Sequence, residues 1–199
     1  NEDLFSNFHH VLDYIDEPYA DSSALAVNIL CKQTRNNITV ALSGDGADEL
    51  FAGYNKHHAH FFARNYSLKN QLIKFGSPVW KSLPKSRNDK MSNLFRQFDR
   101  FSCGLNLNDK ERYWRWCSVA DESYARNILN VNFNSGDELL RKSEILSTLA
   151  PPYNLNDILY TDVNLVLQGD MLVKVDLMSM ANSLEVRTPF LDYNIINFV

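Results

Sequence analysis

The feature that most constrains this chain is a short apolar run cut off by glycine. Ile38-Thr39-Val40-Ala41-Leu42 is rich in β-branched residues and nearly continuous in apolar character. Such a run, following a helix and bounded by turn residues, is expected to be a buried strand of a parallel sheet. Ser43-Gly44-Asp45-Gly46 breaks it at once, and Ala47-Asp48-Glu49-Leu50-Phe51 then opens a helix with two acids in its first turn. Strand, glycine turn and helix start, in that order, are the parts of an α/β ligand site, because ligands in open α/β sheets sit beyond the carboxyl ends of the strands. The expected fold class is α/β, with the strand ending near Leu42.

The rest of the chain reads as helical. Leu4, Phe5, Phe8, Val11, Leu12 and Ile15 recur at helical spacing, giving an amphipathic opening helix that Glu17-Pro18 ends. Asp21-Ser22-Ser23 offers an N-cap for a second helix over about Ser23 to Thr34. Leu94, Phe95, Phe98 and Phe101 form a stripe expected in the core, and Asp109 to Val119 is expected to be helical. Ser77 to Lys90, with Pro78 and Pro84, reads as a loop, as do Asn132 to Gly136 and Pro151-Pro152. A helix from Asn156 to Gln168 is expected to break at Gly169 and resume from Asp170 to Ser183. No strand signal follows residue 55, so the chain is expected to be mainly helical with at least one buried strand. At 199 residues it has the size of one domain, and both ends fall in patterned sequence, so it reads as a piece of something larger.

Composition narrows the partners. The net charge of -4 and pI near 5.7 lack the basic footprint of a nucleic-acid binder. No run of 18 apolar residues is present to span a membrane. Cys31, Cys103 and Cys117 are odd in number and widely spaced, which fits a reducing, cytoplasmic setting, with Cys31 and Cys117 read as core. His57, His58 and His60 read as a solvated helix face rather than as metal ligands.

Only Ser43 to Tyr54 asks for a chemical explanation. Its glycines and serine let backbone approach a ligand and present N–H donors. Asp45, Asp48 and Glu49 crowd the same few residues, a repulsion that a cation relieves. Mg²⁺ held by one or two carboxylates with substrate phosphates fits; a capped helix start with solvated acids fits as well.

The stretch SGDGADELFAGY, Ser43 to Tyr54, closely resembles the S-G-[DE]-G-x-D-E-[LV]-F-x-G-Y loop of glutamine-dependent asparagine synthetases. KVDLMSMANSLEVRTPFLD, Lys174 to Asp192, resembles the family's K-V-D-R-M-S-M-A-x-x-L-E-x-R-x-P-F-L-D, and Asp16-Glu17-Pro18 with Asp21-Ser22-Ser23 is similar to the segment before the loop. The resemblance is firm at both motifs and thin from about 60 to 150.

The resemblance implies an ATP-pyrophosphatase-like (PP-loop) synthetase domain, of which residues 1–199 form part. It implies condensation of ATP with aspartate to β-aspartyl-AMP and pyrophosphate, then displacement of AMP by ammonia to give asparagine. The ammonia would come from glutamine through a separate N-terminal glutaminase domain. Carried over by position, Ser43 and Gly44 contact the nucleotide and Asp48 shares Mg²⁺. Asp45 acts as general base toward ammonia, Glu49 shapes the aspartate pocket or the metal's surroundings, and Tyr54 lines the passage to the intermediate. The resemblance leaves room for a homodimer.

The departures set further expectations. The phosphate loop S-G-G-x-D-S is not in the sequence, residue 1 is not cysteine, and the family's lysine after P-F-L-D would fall beyond Val199. Leu177 stands where the family has arginine, so a charge-assisted hydrogen bond there is lost. The piece alone is expected not to make asparagine. Glu185 and Arg187 are expected to form a partly buried ion pair, Met178 and Met180 to be core, and Lys174 to be a surface lysine that could reach a phosphate. Two other readings stay open: a ligase of the same fold acting on another carboxylate, as β-lactam synthetases do, and a non-catalytic relative serving as an interaction domain.

Overall fold

Local sequence sets several helix starts. Ser67, Asp89 and Asn108 stand in extended backbone, and their side chains accept from the amides of Lys69, Ser92 and Glu111. Each such cap contributes about 1 kcal/mol. The computed structural model describes residues 2–17, 19–64, 67–120, 124, 127–128, 136–149 and 151–199. In chain order the elements begin with α1 (Glu2–Ser6), α2 (Phe8–Asp13), α3 (Ala24–Arg35), β1 (Val40–Leu42), α4 (Ala47–Phe51) and α5 (Asn55–Arg64). They continue with α6 (Leu68–Phe75), α7 (Ser77–Ser82), α8 (Lys90–Leu105), α9 (Asp109–Cys117) and α10 (Gly136–Ile145). After a 3₁₀ turn at Leu146–Leu149 come α11 (Leu155–Asp162), a π-helical stretch (Val163–Met171), α12 (Leu172–Met180) and β2 (Glu185–Arg187). A 3₁₀ turn at Pro189–Leu191 and α13 (Tyr193–Phe198) complete the order. The chain divides into two compact units, Asn1–Gly53 with Leu159–Val199, and Tyr54–Ile158.

The first unit is built on α3 packed against α12. Val11 of α2, Ala24 of α3 and Met178 of α12 form its buried centre, with Ile15, Tyr19, Leu25, Val27 and Leu177 packed around them. Leu177 therefore fills core space at the position where the resembling family carries arginine. The opening helix is broken at Asn7 and ends at Asp13; Val11 is its buried apolar residue, whereas Phe5, Phe8 and Leu12 are exposed. Its expected stop at Pro18 lies outside the described residues. Met180, expected in the core, is exposed, because Met178 takes the inward face of α12 and Met180 stands two residues round the helix. Gly169 does not break the helix. It sits inside the π-helical stretch, which carries the chain from α11 into α12 without interruption.

β1 and β2 pair in parallel, Val40 with Glu185, Ala41 with Val186 and Leu42 with Arg187. The parallel pairing is as expected from the sequence, but the burial is not. Val40 and Leu42 point to one face of the sheet and are 40% and 73% exposed. The two strands form a two-stranded sheet, and no described element covers that face. β2 carries no run of apolar residues, so no strand signal was visible there. Its Glu185 and Arg187 share the open face, and Arg187 Nε donates to Glu185 Oε1 at 2.7 Å. That ion pair is exposed rather than partly buried, since both side chains stand on the uncovered face, and pairs of this kind contribute ~1 kcal/mol at most.

The second unit is helical. α8 packs on α6, α7 and α9. Its expected aromatic stripe is half-buried, with Phe98 against Trp80 and Phe101 stacked on Trp116 at 5.9 Å, while Leu94 is exposed. Ser77–Ser82 is a helix rather than a loop, because Pro78 falls in its first turn, where the missing N–H costs nothing. The turn expected at 132–136 falls outside the described residues except for Gly136, which opens α10. His57 and His60 are buried and only His58 of the three is exposed, which corrects the solvated reading. The cause is tertiary. Rings of Tyr113 and Trp116 meet His60, and its Nε2 lies 2.6 Å from the Tyr153 hydroxyl. Burial pulls the His60 pKa down to about 4. Cys31 is core, and Cys117 is half-buried with Lys56 Nζ 3.6 Å from its sulfur. Among the described residues no helix is long and apolar enough to cross a membrane.

Candidate active site

The loop begins where β1 runs out. Ser43 N–H donates to the Arg187 carbonyl at 2.8 Å, the last rung of the parallel pairing. The chain then turns away, and Ala47 N–H closes on Gly44 O at 3.2 Å. Gly46 lies at φ +89°, where a side chain is strained, and a Cβ there would fall 2.3 Å from Leu191 Cδ2. The second motif thus seats the first. Gly44 is different: a Cβ at that position would meet nothing within 4 Å, so its backbone faces open space.

The three acids part company. Asp45 is half-buried and accepts a short hydrogen bond from Ser43 Oγ, while its own N–H reaches back to that oxygen at 3.3 Å. Asp48 is exposed in the first turn of α4. Its carbonyl accepts from Gly53 N–H at 3.0 Å, and its carboxylate lies so close over Gly53 that a Cβ there would come within 1.9 Å of Oδ1. Gly53 is thus a cradle that any side chain would fill. Glu49 is turned inward and is 1% exposed. α4 also touches the π-helical stretch. The crowding read from sequence is relieved in part by Ser43 and in part by the helix, which sends Asp48 out and Glu49 in. Tyr54 belongs to the second unit, half-buried, with its ring against His57 at 5.5 Å and Lys56 Nζ 4.8 Å from its centroid. Ser43, Gly44, Asp45, Asp48 and Glu49 therefore lie together on one short segment of the first unit.

Sequence reading missed a second polar group in the same unit. Lys174, expected at the surface, is buried, and its Nζ donates to Asp21 Oδ2 at 2.6 Å. Its side chain is held by that carboxylate and by Met171 Sδ at 3.5 Å, which is why it does not reach solvent. Burial pushes the Asp21 carboxyl up, but hydrogen bonds from Lys174 and Ser23 outweigh it and hold the group below its ordinary value. Tyr19 donates to the Asp170 backbone carbonyl at 2.8 Å and to its side chain; burial and that carboxylate raise its pKa well above the usual tyrosine value. The signal available in sequence was the Asp21 segment and the Lys174 motif, but nothing in either showed that they meet.

Among the described residues no three His, Cys, Asp or Glu side chains converge as a metal cage. A site of the Mg²⁺-phosphate kind needs only one or two carboxylates, and Asp48, exposed over its glycine cradle, is suited to that. The geometry offers an open backbone at Gly44, a hydroxyl–carboxylate pair at Ser43 and Asp45, and an outward acid at Asp48, all beyond the carboxyl end of a parallel strand.

The family model for asparagine synthase matches residues 1–199. The chain belongs to the asparagine synthase family. It is 30% identical over 193 residues to asparagine synthetase [glutamine-hydrolyzing] 1 of Bacillus subtilis, covering 96% of this chain and 29% of that protein. A putative asparagine synthetase [glutamine-hydrolyzing] of Mycobacterium tuberculosis is 31% identical over 197 residues, 90% of this chain and 26% of that protein. One from Methanocaldococcus jannaschii is 28% identical over 174 residues, 83% of this chain and 30% of that protein. The chain spans less than a third of the length of these curated relatives. No solved structure matches it. Within the asparagine synthase family, then, this chain supplies a mainly helical domain portion with a small parallel sheet, and the Ser43 segment sits at the end of that sheet.

Proposed function

We propose that this asparagine synthase chain carries ATP-using chemistry of glutamine-dependent asparagine synthesis, in a synthetase domain of the ATP-pyrophosphatase type. Aspartate and ATP give β-aspartyl-AMP and pyrophosphate, and ammonia derived from glutamine displaces AMP to leave asparagine. The observation that carries this reading is an exposed Asp48 carboxylate on the same short segment as the open backbone of Gly44, just past the end of a parallel strand.

Each role rests on what its side chain faces. Ser43 and Gly44 present backbone to the nucleotide, and Gly44 has room for it. Asp48 would hold Mg²⁺ together with the nucleotide phosphates. Mg²⁺, when bound, offsets the negative charge that gathers on the departing pyrophosphate. Asp45, kept in place by Ser43, takes a proton from the incoming ammonia as it attacks the acyl carbon. Glu49, buried beneath the segment, orients it rather than meeting solvent, and Tyr54 lines the approach to the intermediate.

The test separates the two half-reactions in the intact enzyme, with ammonia supplied directly to bypass the glutaminase step. Asp48→Asn is expected to slow ATP–pyrophosphate exchange itself by roughly 10²–10³-fold, the usual loss for one preorganised electrostatic contact. Asp45→Asn is expected to impair asparagine formation more than exchange, within the ~10²–10⁴-fold that general-base assistance contributes. Equal losses of both rates in both variants would mean that the carboxylates act as one unit and would refute the division of roles. Exchange stimulated by another carboxylate but not by aspartate would move the chain to a different ligase of the same fold. No exchange at all would make it a non-catalytic relative.

A further inference from the structure

Ser183 is the residue of the first unit whose backbone most needs an explanation outside the loop. α12 ends with Leu184 N–H on Ser179 O and Ser183 N–H on Met180 O, both at 3.0 Å. That pair of bonds is the Schellman ending, and it puts Ser183 in the left-handed region at φ 54°, a place normally filled by glycine. A serine there is disfavoured and holds only where its surroundings fix it. Two bonds with α3 do so. Arg35 Nε donates to the Ser183 carbonyl at 2.8 Å, and Asn182 Nδ2 donates to Asn28 O at 3.4 Å. Leu184, the next residue, is buried and anchors the turn from below.

What the turn launches is β2, and β2 is bonded at both ends of β1, the second of them being the start of the loop. Its Arg187 carbonyl accepts Ser43 N–H, and Glu185 N–H donates to Thr39 O at 2.9 Å. Just beyond β2, Leu191 closes on Gly46. A swing of the 181–184 turn therefore moves both the strand that receives Ser43 and the side chain on which Gly46 rests. Asp45 and Asp48 lie on either side of Gly46 and would move with it.

We propose that Arg35 is a positioning residue for the Ser43–Phe51 segment, acting through the Ser183 carbonyl; its effect on turnover rests on that segment being the site of adenylation. The Arg35 guanidinium sits on the last turn of α3, where the helix carbonyls also favour a cation, and it converts the α3–α12 packing into a fixed register of β2.

The experiment uses the intact enzyme with Arg35→Met, which keeps the aliphatic stem, and reads amide hydrogen exchange alongside turnover. Loss of a hydrogen bond to a charged donor is expected to speed exchange roughly tenfold at Ser43 and across α4, while amides of α8 and α9 keep their protection. The kcat for ATP–pyrophosphate exchange is expected to fall roughly tenfold, with KM for ATP and aspartate changed by no more than about twofold. Arg35→Lys, which still donates to the carbonyl, recovers most of both losses. Ser183→Gly in the Arg35→Met background recovers them too, because glycine adopts the left-handed turn without help. Unchanged protection at Ser43 in Arg35→Met overturns the proposal, and so does a Ser183→Gly effect that is the same with and without Arg35. If protection at Ser43 is lost but neither Arg35→Met nor Asp48→Asn changes turnover, the clamp stands and the functional reading falls.

Discussion

Gly44 and Gly46 are two residues apart, yet alanine is expected to act on them in different ways. At Gly46 an L side chain must adopt φ +89°, which costs about 1–2 kcal/mol. The new Cβ would also lie 2.3 Å from Leu191 Cδ2 and 2.8 Å from Cγ, so the whole leucine head must shift and not only its tip. Overpacking of that kind costs about 1–3 kcal/mol. The sum is ~2–5 kcal/mol, which lowers the melting temperature by roughly 4–20 °C for a domain of this size. At Gly44 neither cost arises, and alanine is expected to leave stability within about 1 kcal/mol of the parent. Thermal unfolding followed by circular dichroism measures both. Nucleotide affinity then separates them again, because Gly44→Ala places a methyl group where the nucleotide is proposed to lie. A Gly46→Ala variant as stable as the parent would refute the seating of the loop on Leu191. A Gly44→Ala variant that binds ATP unchanged would refute the open backbone as the nucleotide contact.

The buried neutral imidazole of His60 makes stability fall with acid. Its folded pKa of about 4 lies below the ordinary 6.5, so the unfolded chain takes up a proton first as pH drops, and stability present above pH 6.5 is lost toward pH 4 by up to roughly 3 kcal/mol. His60→Gln, compared with the parent in urea melts at pH 7.5 and 4.5, is expected to remove that part of the slope; parallel slopes would refute it. Leu177→Arg, which restores the family's usual residue, is expected to destabilise this chain by ~2 kcal/mol or more, since it pushes a cation against Val11, Ala24 and Met178. An unchanged melting temperature would show that the side chain has a solvent path out of that core.

What was legible in the sequence was whatever local chemistry decides. β1 could be placed because β-branched residues run into glycine, and α3 because a polar triplet precedes an apolar helix. The candidate site residues from Ser43 to Glu49 fall together because a short segment cannot scatter them. Burial was less legible, since it depends on the partner. Val40 and Leu42 look like core residues in any listing of side chains, but their face of the sheet is uncovered. His57 and His60 look polar, but both are buried, His60 against aromatic rings contributed by residues 113, 116 and 153. Lys174 is polar in the same way, and Asp21 draws it inward. Proline and glycine misled twice through position: Pro78 falls where a helix tolerates it, and Gly169 falls where a wider helical turn absorbs it. β2 had no signal of its own, because alternating Glu-Val-Arg is chosen by β1 and not by its own propensity.

The way the sheet is stitched together has a consequence for the order in which the protein is made. Arg35, just ahead of β1, meets its partner Ser183 across 148 residues, and the whole second unit is threaded between. At a synthesis rate of about 5–20 residues per second, β1 leaves the ribosome roughly 7–30 seconds before its partner β2. During that interval β1 lacks its partner β2, and unpaired strand edges are templates for pairing with the wrong chain. Codon choice or chaperone capture over the intervening stretch would then govern the yield of folded chain without altering a single contact in the finished fold.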